Sequence, residues 1–184
     1  VSPTDPGLGM RFNWAQVLRH ELVHVITLQQ TAFNCPHWYT EGLAVWCENR
    51  PRPQKWTELL LRRVPAGELL TLETINFGFT RPQSSEDWQM AYCQAELYVE
   101  FMLEGRSPAV LRDLLAAYAE GLDTPEAIQR VFHVEAAEFE QDFRAYLQRL
   151  VSGFRSFDEP AAETFSELIS SQRKAPGDPD LAAR

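Results

Sequence analysis

Cysteine is scarce in this 184-residue chain: Cys35, Cys47 and Cys93 make an odd count with no CxxC pairing. That excludes a disulfide framework and a four-thiolate zinc site, and leaves the thiols as small buried hydrophobes. Positive charge is in deficit too, with 17 Lys and Arg against 26 Asp and Glu and a net charge of −9. Without a basic stripe the chain is a poor nucleic-acid binder, because neutralising phosphates supplies most of that affinity. No apolar run approaches the roughly eighteen residues that would span a bilayer. Nor does a positively charged start lead into an apolar stretch, as it would in a signal peptide. Strand-like alternation, internal repeats, a Gly-rich phosphate loop and a Ser-His-Asp arrangement are missing as well.

What is present is an ordinary globular composition, 45% apolar and 23% charged, which excludes wholesale disorder and suits one domain or one and a half. Residues 1–12, rich in Pro and Gly, read as an extended lead-in. The opening Val1-Ser2-Pro3 and the polar tail read as the ends of a piece of something longer.

Helical periodicity begins at Asn13, a cap candidate with Gln16 placed to complete a capping box. Trp14, Val17, Leu18, Leu22, Val25 and Ile26 then give a broad apolar face running to about Gln30, which predicts a largely buried helix. His37 to Glu48 reads as a second helix, stopped by Asn49-Arg50-Pro51, and Gln54 to Arg63 as a third, ending before Pro65. Residues 64–85 show no stable period and read as a long irregular connection, a lip over a cleft. Further helices are expected from Glu86 to about Glu104, from Ser107-Pro108 to Gly121, from Thr124-Pro125 to Phe132, and from Glu135 to Leu150. One more is expected from Pro160 to about Arg173, before a frayed tail. The expected fold class is mainly α, with little or no β-sheet.

The segment His20-Glu21-Leu22-Val23-His24 lies inside the first of these helices. Residues four apart are offset by about 40° around a helix and about 6 Å along it, so the two imidazoles can converge on one metal ion. Glu21 lies about 60° beyond His24, bordering the same pocket without having to ligate. That suits a carboxylate taking a proton from metal-bound water. The same pattern also fits a surface helix that happens to carry two histidines.

Downstream, Trp38-Tyr39-Thr40-Glu41-Gly42-Leu43-Ala44 places Glu41 near the start of the second helix. The pair of segments H-E-L-V-H and W-Y-T-E-G-L-A resembles the gluzincin metallopeptidases, most of all their peptidase MA-like domains and more distantly the aminopeptidase-N type. The resemblance implies a helical catalytic lobe over residues 13–150, with 151–184 as a C-terminal helix and tail or linker. It implies one zinc ion on His20, His24 and Glu41, with Glu21 as general base in peptide-bond hydrolysis. It also implies a tyrosine that hydrogen-bonds the tetrahedral intermediate; Tyr92 matches that position and Tyr98 is the second choice, with a core tyrosine as the other reading. The ligand gap, sixteen residues from Val25 to Thr40, is somewhat shorter than in the aminopeptidases. No G-x-M-E-N-like segment for a free α-amine is present, so aminopeptidase activity is not implied.

Other candidates are weaker. His37, four residues before Glu41, is a rival ligand that would close the metal to substrate. Cys47 is rotated about 240° away from Glu41. Glu48, seven residues on, returns to the same face and is either a partner for a ligand histidine or a solvated helix-end carboxylate. His133 reads as a helix-end residue. The implied partner is a peptide or protein substrate, with no nucleic acid and no membrane span. Such domains often belong to larger, sometimes exported, bacterial proteins, a lean towards outside the cytoplasm. The gluzincin sheet that precedes the active-site helix has no counterpart in the residues before Asn13. Two readings compete with the peptidase: an inactive peptidase-derived module with structural zinc or a partner-binding cleft, and a metal hydrolase of non-peptide bonds.

Overall fold

The computed structural model describes residues 13–154, which are helices joined by short connections, with no strand among them. In chain order these are α1 (Trp14–Gln30), α2 (His37–Glu48), α3 (Gln54–Ala66), α4 (Ile75–Thr80), α5 (Ser85–Leu103), α6 (Ala109–Ala119), α7 (Thr124–Phe132) and α8, residues 136–154. The mainly-α expectation holds. Among the described residues, those up to Tyr146 form one compact unit and those from Leu147 belong to a second. The expected helix from Pro160 to Arg173 lies outside the described residues.

Local chemistry sets the boundaries. Asn13 accepts the Gln16 N–H at 3.3 Å and so caps α1. The expected box does not close, because the Gln16 carboxamide instead accepts from the Asn13 side chain and donates to Glu48. Helix α3 runs past the expected stop to Ala66, carrying Pro65 in its last turn. A proline there forfeits only one late hydrogen bond, and Gly67, left-handed at φ 73°, caps the end through Arg63 and Val64 carbonyls. The expected irregular stretch contains α4, six residues whose apolar pattern is too short to show a period. Its Gly78 lies against α5, where an added Cβ would stand 2.7 Å from the Ala91 Cβ.

Helix α5 is the central rod. Met90, Ala91, Cys93, Ala95, Leu97, Tyr98 and Val99 are all buried along it, and Tyr98 stacks on Phe143 at 3.7 Å. Helix α2 crosses α5 so closely that a Cβ on Gly42 would meet the Ala95 carbonyl oxygen at 2.5 Å. The glycine of the T-E-G-L segment is thus a contact point between backbones. Arg52, just past α2, ties to α5 through Glu96 at 3.0 Å and Glu100 at 2.5 Å.

The expected burial of α1 is not found. Its apolar face is open among the described residues, with Trp14 53%, Leu18 59%, Leu22 52% and Val25 51% exposed. The reason is the breadth of the apolar arc. At 100° per residue, His20, His24 and Thr27 occupy one side, which α2 covers, while Trp14, Leu18, Leu22 and Val25 point the opposite way.

Candidate metal centre

Helices α1 and α2 bring His20, His24 and Glu41 together, with one donor atom from each lying within 4.8 Å of the others. Glu41 is 7% exposed, and the two histidines are half-buried at the surface end of the α1–α2 seam.

Each imidazole is held from behind. The His20 Nδ1 lies 2.8 Å from Glu48 Oε1. A carboxylate only accepts, so this nitrogen carries a proton, and in the neutral ring Nε2 is left with its lone pair. Glu48 is itself fixed by Gln16 at 2.7 Å and Arg50 at 2.5 Å. The His24 Nδ1 lies 2.8 Å from Thr40 Oγ1, which lies 2.7 Å from Thr27 Oγ1. Thr27 in turn donates to the Val23 carbonyl at 2.9 Å. A hydroxyl has one proton to give. The chain therefore runs in one direction, from His24 Nδ1–H through both threonines to a backbone carbonyl, and His24 too keeps a lone pair on Nε2.

Those two lone pairs face a carboxylate oxygen. The distances from Glu41 Oε2 are 3.5 Å to His20 Nε2 and 3.6 Å to His24 Nε2. That oxygen is buried and has no hydrogen-bond partner. Its sibling Oε1 accepts from His37 Nε2 at 3.0 Å. Ligands about 2.0–2.1 Å from a tetrahedral zinc ion stand about 3.3 Å from one another, so the spacing suits a shared cation. Burying an unpaired carboxylate oxygen costs several kcal/mol unless a cation satisfies it. These residues fit a zinc ion with three protein ligands.

The two histidines are shifted in opposite directions, and the carboxylate is held ionised. The facing Glu41 carboxylate raises the His20 pKa; burial opposes this and Glu48 adds to it. Burial lowers that of His24, against the pull of Glu41. Burial pushes the Glu41 carboxyl up, but His20, His24 and His37 outweigh it and hold the group below its ordinary range. A deprotonated carboxylate is what a cation needs.

A matching sequence profile now joins this geometry: that of the peptidase MA superfamily fits residues 9–149, more than half of the chain. The chain belongs to the peptidase MA superfamily. No curated protein and no solved structure matches it. Membership in this superfamily gives a peptidase-type fold and agrees with the helical lobe seen here.

The other candidates of this peptidase MA domain fall as follows. Glu21 is exposed at the edge of the centre, within electrostatic reach of His24 and Tyr92. Tyr92 comes in from α5, its ring packed edge-on against Phe79 at 4.9 Å and Trp88 at 4.7 Å. Burial, then Glu41 and Glu21, push its phenol up to about 12, so it is neutral and able to donate at pH 7. Tyr98 is buried in the core, stacked on Phe143, and does not reach the centre. His37, stacked on Phe79 at 4.9 Å, bonds the far oxygen of Glu41 and lies outside the ligand cluster. Cys47 is outside it too. His133 caps α7 in a left-handed conformation at φ 60°.

Sequence reasoning missed three supports. Thr27 and Thr40 carry no assignment in the sequence; a threonine adjoining Glu41 and another inside the helix of His20 and His24 are the available signal. Asn76 had none. From α4 it accepts the Trp38 N–H at 3.0 Å, satisfying the start of α2, whose cap position is Pro36 and supplies no side-chain bond.

Proposed function

We propose that this domain is a zinc-dependent peptidase in which His20, His24 and Glu41 hold the ion and Glu21 is the general base. The observation that carries the reading is the unpartnered Glu41 oxygen faced by two imidazole lone pairs. Zinc, when bound, supplies Lewis acidity and an acidified water in its open position.

The chain's own residues do the rest. Glu21 takes a proton from the attacking water as the new C–O bond forms, and gives it to the leaving nitrogen as the C–N bond breaks. Tyr92 donates a hydrogen bond to the carbonyl oxygen as negative charge gathers there. Glu48 and the Thr40–Thr27 pair keep both imidazoles in the tautomer that presents Nε2. His37 holds Oε1 of Glu41, which leaves the other oxygen to face the histidines. The substrate is a peptide or unfolded protein segment. The open face of α1 is where we place the remaining wall of the cleft, supplied by a larger parent protein.

Glu21→Gln tests this. The variant is expected to retain one zinc per chain and to lose hydrolysis of an unstructured protein substrate. Undiminished turnover would refute Glu21 as the base, and metal-free protein of unaltered activity would refute the zinc. One observation favours a second reading, a peptidase-derived module that binds without cleaving: the open apolar arc of α1 is the sort of surface that marks protein contacts. That reading expects no turnover from wild-type protein loaded with zinc.

A further inference from the structure

A cleft of about 300 Å³ opens directly beside the metal centre. Its walls are His20 from α1, Val45 from α2, Trp56 from α3, and Trp88 and Tyr92 from α5. Two larger hollows, each about 480 Å³, do not touch the His20–His24–Glu41 cluster. The smaller cleft differs because it shares two side chains with the proposed chemistry. One is the ring of His20, and the other is the phenol of Tyr92. Whatever fills it sits next to the reacting bond.

The rings of Trp56, Trp88 and Tyr92 and the side chain of Val45 supply the apolar wall, and Glu48, Arg50 and Gln89 complete the lining. Trp88 is 46% exposed, a large indole left open at the mouth, and its edge contact with Tyr92 makes a corner of two rings. Trp56 is buried at the back, with the Arg50 guanidinium 5.8 Å above its ring. The two charged groups of the lining, Glu48 and Arg50, are paired with each other. Glu48 gives Oε1 to His20 and Oε2 to Gln16 and Arg50. Arg50 spends its Nε–H on Glu48 and lies over Trp56. An apolar group entering between Trp56, Trp88 and Val45 displaces only water, whereas a cation would meet the Arg50 guanidinium and an anion the Glu48 carboxylate. The volume is at the lower end of what small-molecule sites offer, about 300–1,000 Å³, which suits one large side chain.

We infer that this cleft is a specificity pocket that receives a bulky apolar or aromatic side chain of the peptide, beside the bond to be cut. The inference deepens the peptidase reading and rests on it for the meaning of "beside the bond", but it makes a separate prediction about binding.

The test uses the zinc-treated Glu21→Gln protein and acetylated tripeptide amides of the form Ala-X-Ala, with X being Phe, Leu, Ala, Asp or Lys. Binding is read by tryptophan fluorescence and calorimetry. Phe and Leu are expected to bind at least about tenfold tighter than Ala, the discrimination an apolar pocket gives. In Trp88→Ala that ratio falls towards one, and Trp88→Phe restores most of it; thermal midpoints measured alongside exclude unfolding as the cause. Equal affinities across the series would overturn the pocket, as would a preference for Asp or Lys, or a ratio untouched by Trp88→Ala. The two readings fail separately. Wild-type protein that never hydrolyses an unstructured substrate, yet binds Phe over Ala through Trp88, would refute the peptidase and keep the pocket. Turnover that Glu21→Gln abolishes, with a flat binding series, would do the reverse.

Discussion

Thr40→Val removes one hydroxyl and leaves a side chain of nearly the same shape, and the structure says what should follow. Among the described residues, Thr40 is what links His24 Nδ1, 2.8 Å away, to Thr27, 2.7 Å away. With valine there, Thr27 keeps its bond to the Val23 carbonyl, so the damage is confined to His24. Its Nδ1–H loses its acceptor, and nothing then favours the tautomer that frees Nε2. Removing such an outer partner of a metal ligand costs about 10- to 100-fold in metal affinity, or about 1.4–2.8 kcal/mol at 1.4 kcal/mol per tenfold. Metal-free stability should fall less, by about 1 kcal/mol for a lost hydrogen bond whose donor can still reach water at the half-buried edge. Competition against a chromophoric chelator gives the first number and urea unfolding the second. Thr40→Ser retains the hydroxyl and should stay close to wild type. Nitrogen NMR of the metal-free protein reads the tautomer directly. An Nε2–H form of His24 in wild type, or zinc affinity in the valine variant equal to wild type, would refute the threonine relay.

Four other outcomes follow from the same structure. Gly42→Ala puts a Cβ 2.5 Å from the Ala95 carbonyl oxygen; forcing two helix backbones apart costs about 1–3 kcal/mol, more than the ~1 kcal/mol an alanine adds to helix propensity, and a lower Tm checks it. Arg52→Met strips the cation from Glu96, which is buried and whose carboxyl burial already raises; breaking such a pair costs about 3 kcal/mol, and Arg52→Met with Glu96→Gln should recover part of it in urea unfolding. The pH dependence is two-sided. The pKa of His20 lies above 6.5 in the metal-free fold, first because of Glu41, so its stabilising contribution is complete below 6.5 and lost as pH rises through the raised value. Zinc has to displace that proton, so the Tm gained on adding zinc should grow from pH 6 to pH 8; a shrinking gain would contradict the ligand assignment. Leu22→Ser, on the open face, should change stability by about 0.5 kcal/mol or less, and a loss of 2 kcal/mol or more on unfolding would show that this face is covered.

Much of the site was legible because its chemistry is local. His20, Glu21 and His24 are ordered by helix geometry alone, and the cap at Asn13 and the periodicity of Leu18 and Leu22 identify that helix without any partner. Glu41 and Tyr92 needed a resemblance, since nothing in spacing says that α2 folds back on α1 or that α5 delivers a phenol. The supports were illegible for a different reason. Thr40, Thr27 and Asn76 act through single hydrogen bonds across helices, and a threonine or asparagine carries no periodic signature when its partner is 13 or 38 residues away. Helix α4 escaped because six residues are under two turns, too few to establish a period.

The misreading of α1 is the most informative, because the pattern was right and the inference from it was not. A broad apolar arc says that a helix is to be covered; it does not say by what. The described residues cover the side that carries His20, His24 and Thr27, since that side must be dry enough for Glu41 to lose its hydration and for the imidazoles to be held by Thr40 and Glu48. Trp14, Leu18, Leu22 and Val25 contribute nothing to that seam, yet they share the rigid rod on which the histidines sit. Glu21 lies at the boundary between the two sides, exposed where the arc is exposed. Covering the arc would therefore bring a surface up to the proposed base and exclude water from its flank, strengthening every electrostatic contact at the centre. On this argument the open face of α1 and the incomplete shielding of Glu21 have one cause, and a partner that buries Leu22 should raise turnover through kcat.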